Sequence, residues 1–279
     1  MANWIIPTEC SSHPAVYVLV ALAAFLLTGV SKGGFGGVGI LSVPLMMMVA
    51  PPHLTLGMWL PLLICCDLFT VRSYPKQWEL RPILLLAPWM FAGVVAGWGL
   101  LRLLSKLGSE AEAGHWVKVF VGGLSVLFVV LEVVRGVVTR RLDTGTDRPP
   151  WRPTWRSTAP FGIAAGISTM LAHSAGAITT IYLLAQRLDQ RIFVGTSGRF
   201  YFVFNTLKVP FYTLACFELR YITAESLKLS LWLVPLAPVS VWAGSELNKR
   251  IAPALFQRII YGLLAVSGGY LIWANAGVR

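Results

Sequence analysis

Four stretches of this chain, residues 14–31, 37–66, 83–101 and 157–186, contain no Asp, Glu, Lys or Arg. A run of about 17–25 apolar residues is long enough to cross the hydrocarbon of a bilayer as a helix. Lipid offers the backbone no hydrogen-bond partner, so only helices and closed barrels can span it. These runs lack the alternation of barrel strands, and the pattern predicts an all-α polytopic membrane protein. Composition agrees, with 56% apolar and only 13% charged residues in 279, where a soluble domain uses roughly 25% charged residues to cover its surface. The net charge of +11 does not point to nucleic acid. The basic residues sit at the ends of apolar runs, where they set topology, and no folded basic domain lies between them. Cys10, Cys65, Cys66 and Cys216 show no CxxC spacing, so neither a metal site nor a cofactor is expected. The first ten residues have no basic n-region, and no cleaved signal peptide is expected.

Reading the apolar runs against their breakers gives ten segments, at 14–30, 37–50, 54–74, 82–104, 116–138, 157–171, 175–187, 191–217, 227–247 and 254–275. The first, second, sixth and seventh are short. Each short pair is joined by a breaker of small residues, Ser31-Lys32-Gly33-Gly34-Phe35-Gly36-Gly37 in one and His173-Ser174-Ala175-Gly176 in the other. Either pair is a re-entrant hairpin or two tilted crossings, and the sequence leaves both open. The stretch 135–156 holds six arginines and is expected in the cytoplasm of a bacterial cell whose inner membrane houses the chain. Every other loop then falls on a consistent side, with both termini non-cytoplasmic.

The two halves resemble each other. Gly29-Val30-Ser31 matches Gly166-Ile167-Ser168, Gly97-Trp98-Gly99 is echoed by Trp242-Ala243-Gly244, and Lys118 to Gly122 is echoed by Arg258 to Gly262. Each half has a short pair followed by three long helices, and parity makes the halves oppositely oriented. The expected organisation is an inverted-topology repeat: a first transmembrane repeat at 14–138, an arginine-rich linker at 139–156 and a second repeat at 157–275. Interrupted segments at matching positions of such repeats point to the binding site.

The first breaker contains Gly34-Phe35-Gly36-Gly37-Val38-Gly39, a literal GxGxxG, but no strand precedes it and no acidic residue follows at the right distance. A half-helix starting near Gly36 and Gly37 would instead aim free N–H groups and a positive dipole end at the break, an anion site, to which Lys32 adds charge and Ser31 a hydroxyl. The second breaker offers Ser168, Thr169, His173 and Ser174, with His173 as a donor or a group that changes charge. The eighth segment is the most polar: Ser197, Tyr201, Asn205, Lys208 and Tyr212 share one helical face, and Arg199 lies off it as an anchor. Asp67, the one carboxylate deep in a segment, is expected to pair with Lys32 or Lys208 or to carry a proton. The substrate-site expectation is therefore Ser31, Lys32, Gly33, Gly34, Gly36, Gly37, His173, Ser174, Asn205 and Lys208, with Asp67, Arg199 and Tyr201 as coupling or ion-pair residues.

The stretches TGVSKGGFGGVGILSVP at 28–44, LPLLICCDLF at 60–69, MLAHSAG at 170–176 and VGTSGRFYFVFNTLK at 194–208 resemble the sulfite exporter TauE/SafE family, also called the 4-toluenesulfonate uptake permease family, over about residues 20 to 275. Relatives of this type often carry His-Ala-Gly-Gly-Pro where this chain has His173-Ser174-Ala175-Gly176-Ala177. The resemblance implies a permease for small anions such as sulfite, sulfonates or carboxylates, most simply an exporter, with an anion channel and a proton-coupled uptake carrier as the alternatives. No HExxH, paired acidic motif or GxSxG supports an intramembrane enzyme. The expected partners are the small anion and the lipid bilayer, with a homodimer compatible with the pattern.

Overall fold

The computed structural model describes residues 14–34, 38–106, 110–142, 151–214, 220–250 and 253–276. They form helices joined by short turns and connections, and no strand occurs among them. The elements in order are α1 (Pro14–Gly33), a 3₁₀ turn (Val38–Leu41), α2 (Ser42–Met47), α3 (Pro52–Ser73), α4 (Leu80–Ser105), α5 (Glu110–Leu142), α6 (Trp155–Ala172), α7 (Ala175–Leu184), α8 (Gln190–Thr213), α9 (Ala224–Leu231), a 3₁₀ turn (Val234–Leu236), α10 (Ala237–Arg250) and α11 (Pro253–Ala276). Among the described residues, four helices are long and apolar enough to cross a membrane, and the bent pair α9–α10 makes a fifth if read as one span.

Two boundaries differ from expectation. The first helix runs on to Gly33, so Ser31 and Lys32 belong to its last turn instead of the breaker. Nothing in Val30-Ser31-Lys32 opposes helix, and a cation is stabilised at the carbonyl end of the dipole. The turn falls at Gly34, whose φ of 150° suits glycine alone. Gly36 and Gly37, the expected start of the half-helix, lie outside the described residues. The ninth segment reads in the sequence as one run, 227–247, with kinks expected at Pro235 and Pro238. It is broken into α9 and α10 with a 41° bend, because Pro235 and Pro238 remove N–H donors and crowd the preceding turn.

The helices associate through small residues. A Cβ on Gly29 or Gly33 would collide with α10 at Ser240 and Val241, and one on Gly244 with the backbone of Val30. In the same way Gly162 and Gly166 lie against Trp89, Met90 and Gly93 of α4, and Gly97 lies against Ile167 and Met170 of α6. Between membrane helices there is no hydrophobic effect to gain, so close backbone approach supplies the dispersion contact that holds them. α5 and α11 meet where Gly122 packs on Gly268, while Gly262 faces open space. α3 crosses α8 at the centre.

Replacing Gly166 by Leu should cost about 1–3 kcal/mol through overpacking. It should lower the thermal unfolding midpoint in detergent, whereas Gly123→Ala, where a Cβ meets nothing within 4 Å, should leave the midpoint unchanged or slightly raised.

Candidate functional site

A cavity of about 50 Å³ lies where the end of α1, the first 3₁₀ turn, α3, the α6–α7 break and α8 converge. One water needs about 10–15 Å³ by this measure, so a small ion and a few waters fit.

Two lysines dominate the surroundings. Lys32 Nζ lies 2.6 Å from Asp67 Oδ1 and 3.8 Å from the centre of the Tyr201 ring, a cation–π contact. Asp67 is fully buried, and Asn205 Nδ2 donates to its Oδ2 at 2.6 Å. The Tyr201 hydroxyl is in turn bonded to Thr179. Of the two partners foreseen for Asp67, the structure selects Lys32. The other, Lys208, is fully buried and donates to Thr169 Oγ1 at 2.8 Å and to the Thr169 carbonyl at 3.3 Å. Its Nζ is also 2.9 Å from His173 Nδ1.

The His173 ring is fixed from its other side, where Nε2 lies 3.1 Å from the carbonyl oxygen of Leu56. A carbonyl only accepts, so Nε2 carries the proton and Nδ1 accepts from Lys208. Both ring nitrogens are engaged, which leaves His173 no N–H for an anion; it lines the cavity as a fixed wall. Its backbone is the left-handed C-cap of α6, φ 51°, which turns the chain into α7. Ala175 and Gly176, at the start of α7, line the cavity, and the first N–H groups of a helix have no partner within it. A helix start at the cavity is therefore present at the second break; Gly36 and Gly37, where the first was expected, lie outside the described residues.

Ser31, Lys32, Gly34, His173, Tyr201 and Asn205 line the cavity. Gly33 packs against α10. Ser174 donates to the Ala172 carbonyl at 2.9 Å and lies outside the lining. Lys208 sits behind Thr169 and His173. Arg199 makes no ion pair among the described residues: its guanidinium donates to the carbonyls of Tyr74, Gly195 and Pro75 and lies over Trp78, tying the start of α8 to the α3–α4 loop.

Along the predicted polar stripe, Ser197, Tyr201 and Asn205 face the cavity. Tyr212 is buried and donates to the Met170 carbonyl at 2.6 Å. Sequence reasoning missed Thr28, Trp59 and Thr180 in the lining. Trp59 Nε1 donates to Thr28 Oγ1 at 3.2 Å. Trp59 sits inside an apolar run with no polar neighbour to flag it. Thr180 Oγ1 is buried without a partner among the described residues.

A scan against protein families matches residues 21–271 to Sulfite exporter TauE/SafE. The chain belongs to that family. TauE/SafE proteins are membrane transporters, and the apolar helices make this member a multi-pass membrane protein. The match covers α1 to α11 almost entirely, and with it every cavity-lining residue. Searches of curated proteins and of solved structures find no match.

Asp67→Ala would leave Lys32 without its carboxylate. Removing one partner of a buried pair is strongly destabilising, so the variant should lose about 3 kcal/mol and unfold at lower temperature in detergent. Adding Lys32→Met should restore most of that stability.

Proposed function

We propose that the chain is a secondary transporter that exports small anions such as sulfite or sulfonates, with the cavity as their seat. The observation that carries this reading is a space of ion size with Lys32, paired to Asp67, on its wall and a second ammonium, Lys208, buried behind Thr169 and His173. The N-terminus of α7, together with cavity-lining hydroxyls, adds partial positive charge and donors at the same point. These features favour a negative ligand over a cation or a neutral solute.

The shape of the cavity favours a carrier over an open pore. Its α8 wall runs from Phe193 to Asn205 and ends at the buried cluster of Lys208, Thr169 and Tyr212. We read the end nearer the start of α8, beside Arg187 and Arg191, as the entrance, and the distribution of basic residues assigns that side to the cytoplasm. A site closed at its other end is what a carrier offers.

Contacts between the halves support an inverted repeat. α1 packs on α10 as α6 packs on α4, while α3 crosses α8 and α5 crosses α11. The correspondence reaches single contacts. Thr70 Oγ1 lies 3.4 Å from the Lys32 carbonyl as Lys208 Nζ lies 3.3 Å from the Thr169 carbonyl, and Gly57 and Gly195 lie against the carbonyls of Tyr221 and Gln77. Each pairing exchanges the roles of the halves.

With the cytoplasm negative, moving one negative charge outward releases about 2.3 kcal/mol per 100 mV. Export then needs neither ATP nor a coupled ion. In proteoliposomes, sulfite efflux should rise when an inside-negative potassium diffusion potential is imposed, and Lys32→Ala should lower the flux at least about tenfold. Saturable counterflow is expected, and ohmic single-channel currents would replace the carrier with a channel.

A further inference from the structure

Helical threonines in this protein usually turn their hydroxyl proton back onto the backbone. Thr28, Thr70, Thr179, Thr206 and Thr213 each donate to the carbonyl four residues earlier, a common way to satisfy a hydroxyl inside a helix. Thr169 does not. The carbonyl it would use, that of Ala165, is taken by Ser168 Oγ at 3.1 Å. Its own Oγ1 instead accepts from Lys208 Nζ at 2.8 Å.

Thr169 is only 4% exposed, and it lines the cavity. Its hydroxyl has one proton to give and, among the described residues, no acceptor for it. A buried donor without an acceptor is costly, and the neighbouring space is where an acceptor would sit. The ammonium behind it draws electron density from Oγ1 and so strengthens the outward O–H as a donor. Lys208 itself is fully buried. Its three protons are satisfied by Thr169 O, Thr169 Oγ1 and His173 Nδ1, and it does not reach the cavity.

We infer that Thr169 is the specificity-determining donor of the site, gripping an oxygen of a monoanionic oxyanion, and that Lys208 is a positioning residue whose charge reaches the substrate through that hydroxyl. This rests on the anion-transport reading and deepens it. The charge count fixes the class: Lys32 and Lys208 contribute two positive charges and Asp67 one negative, so a single negative charge completes the site. Hydrogen sulfite, a sulfonate and a carboxylate share that charge and an acceptor oxygen. Sulfate, of similar size but twice the charge, does not.

The test is efflux of radiolabelled sulfite from proteoliposomes of the full chain, in mildly acidic medium where hydrogen sulfite predominates. Thr169→Val should raise KM about tenfold or more with kcat changed less than about threefold, and Thr169→Ser should stay within about threefold of the parent KM. Lys208→Met should raise KM about tenfold although the residue never touches the ligand. The double variant Lys208→Met/Thr169→Val should be no worse than either single change, because both interrupt one path. Methanesulfonate should compete with sulfite, and an equal concentration of sulfate should not.

An unchanged KM in Lys208→Met, or losses that multiply in the double variant, would overturn the inference while leaving anion transport standing. Equal competition by sulfate would overturn the charge assignment. Absence of sulfite flux in the parent protein would remove both readings. Should Thr169→Val fold poorly because Lys208 loses an acceptor, Lys208→Met and the double variant, which carry no stranded charge, decide the matter.

Discussion

A carboxylate in the middle of a membrane protein is the constraint around which the centre is arranged. Taking Asp67 out of water costs several kcal/mol, recovered only if its charge is met and its lone pairs are filled. Lys32 meets the charge and Asn205 fills the second oxygen. Because Lys32 is on α1, Asp67 on α3 and Asn205 on α8, satisfying one side chain fastens three helices at one depth. Tyr201 and Thr179 extend the same network to α7. The cavity is the space left beside this knot.

The second cluster answers the first from the other side. Lys208, Thr169 and His173 join α8 to α6, and the contact of His173 with Leu56 reaches α3. Here the buried cation is met by neutral acceptors alone, so its charge is solvated but not cancelled. The first knot is nearly neutral and the second is not. On the anion-transport reading, that asymmetry, more than the glycines, would set the sign of the site.

Much of this was legible in the sequence, for a physical reason. A bilayer converts helix length into a count of apolar residues, so the ten segments fall close to the helices that form. Polar residues are costly in lipid, so Lys32, Asp67, Tyr201, Asn205 and Lys208 identified themselves by being there at all. Other features depended on three-dimensional contact. Whether Asp67 would choose Lys32 or Lys208 turns on how α1 crosses α3. The bonds that occupy both nitrogens of His173 come from helices remote in sequence, and Trp59 looks like any other apolar residue until its indole meets Thr28. Of the first-breaker glycines, Gly34 lines the cavity while Gly33 packs against α10, and a helix start at the cavity also belongs to α7, whose Ala175 and Gly176 carry no chemical signature.

The glycine contacts between α1 and α10, and between α6 and α4, have a mechanical implication. Where backbones touch, no flexible side chains lie between them to absorb a slide, so each of these pairs travels as one piece. Each pair takes one helix from either side of the arginine-rich linker. Units packed this way are woven from both ends of the chain, and on the carrier reading proposed above a hinge would run across the sequence halves, not between them.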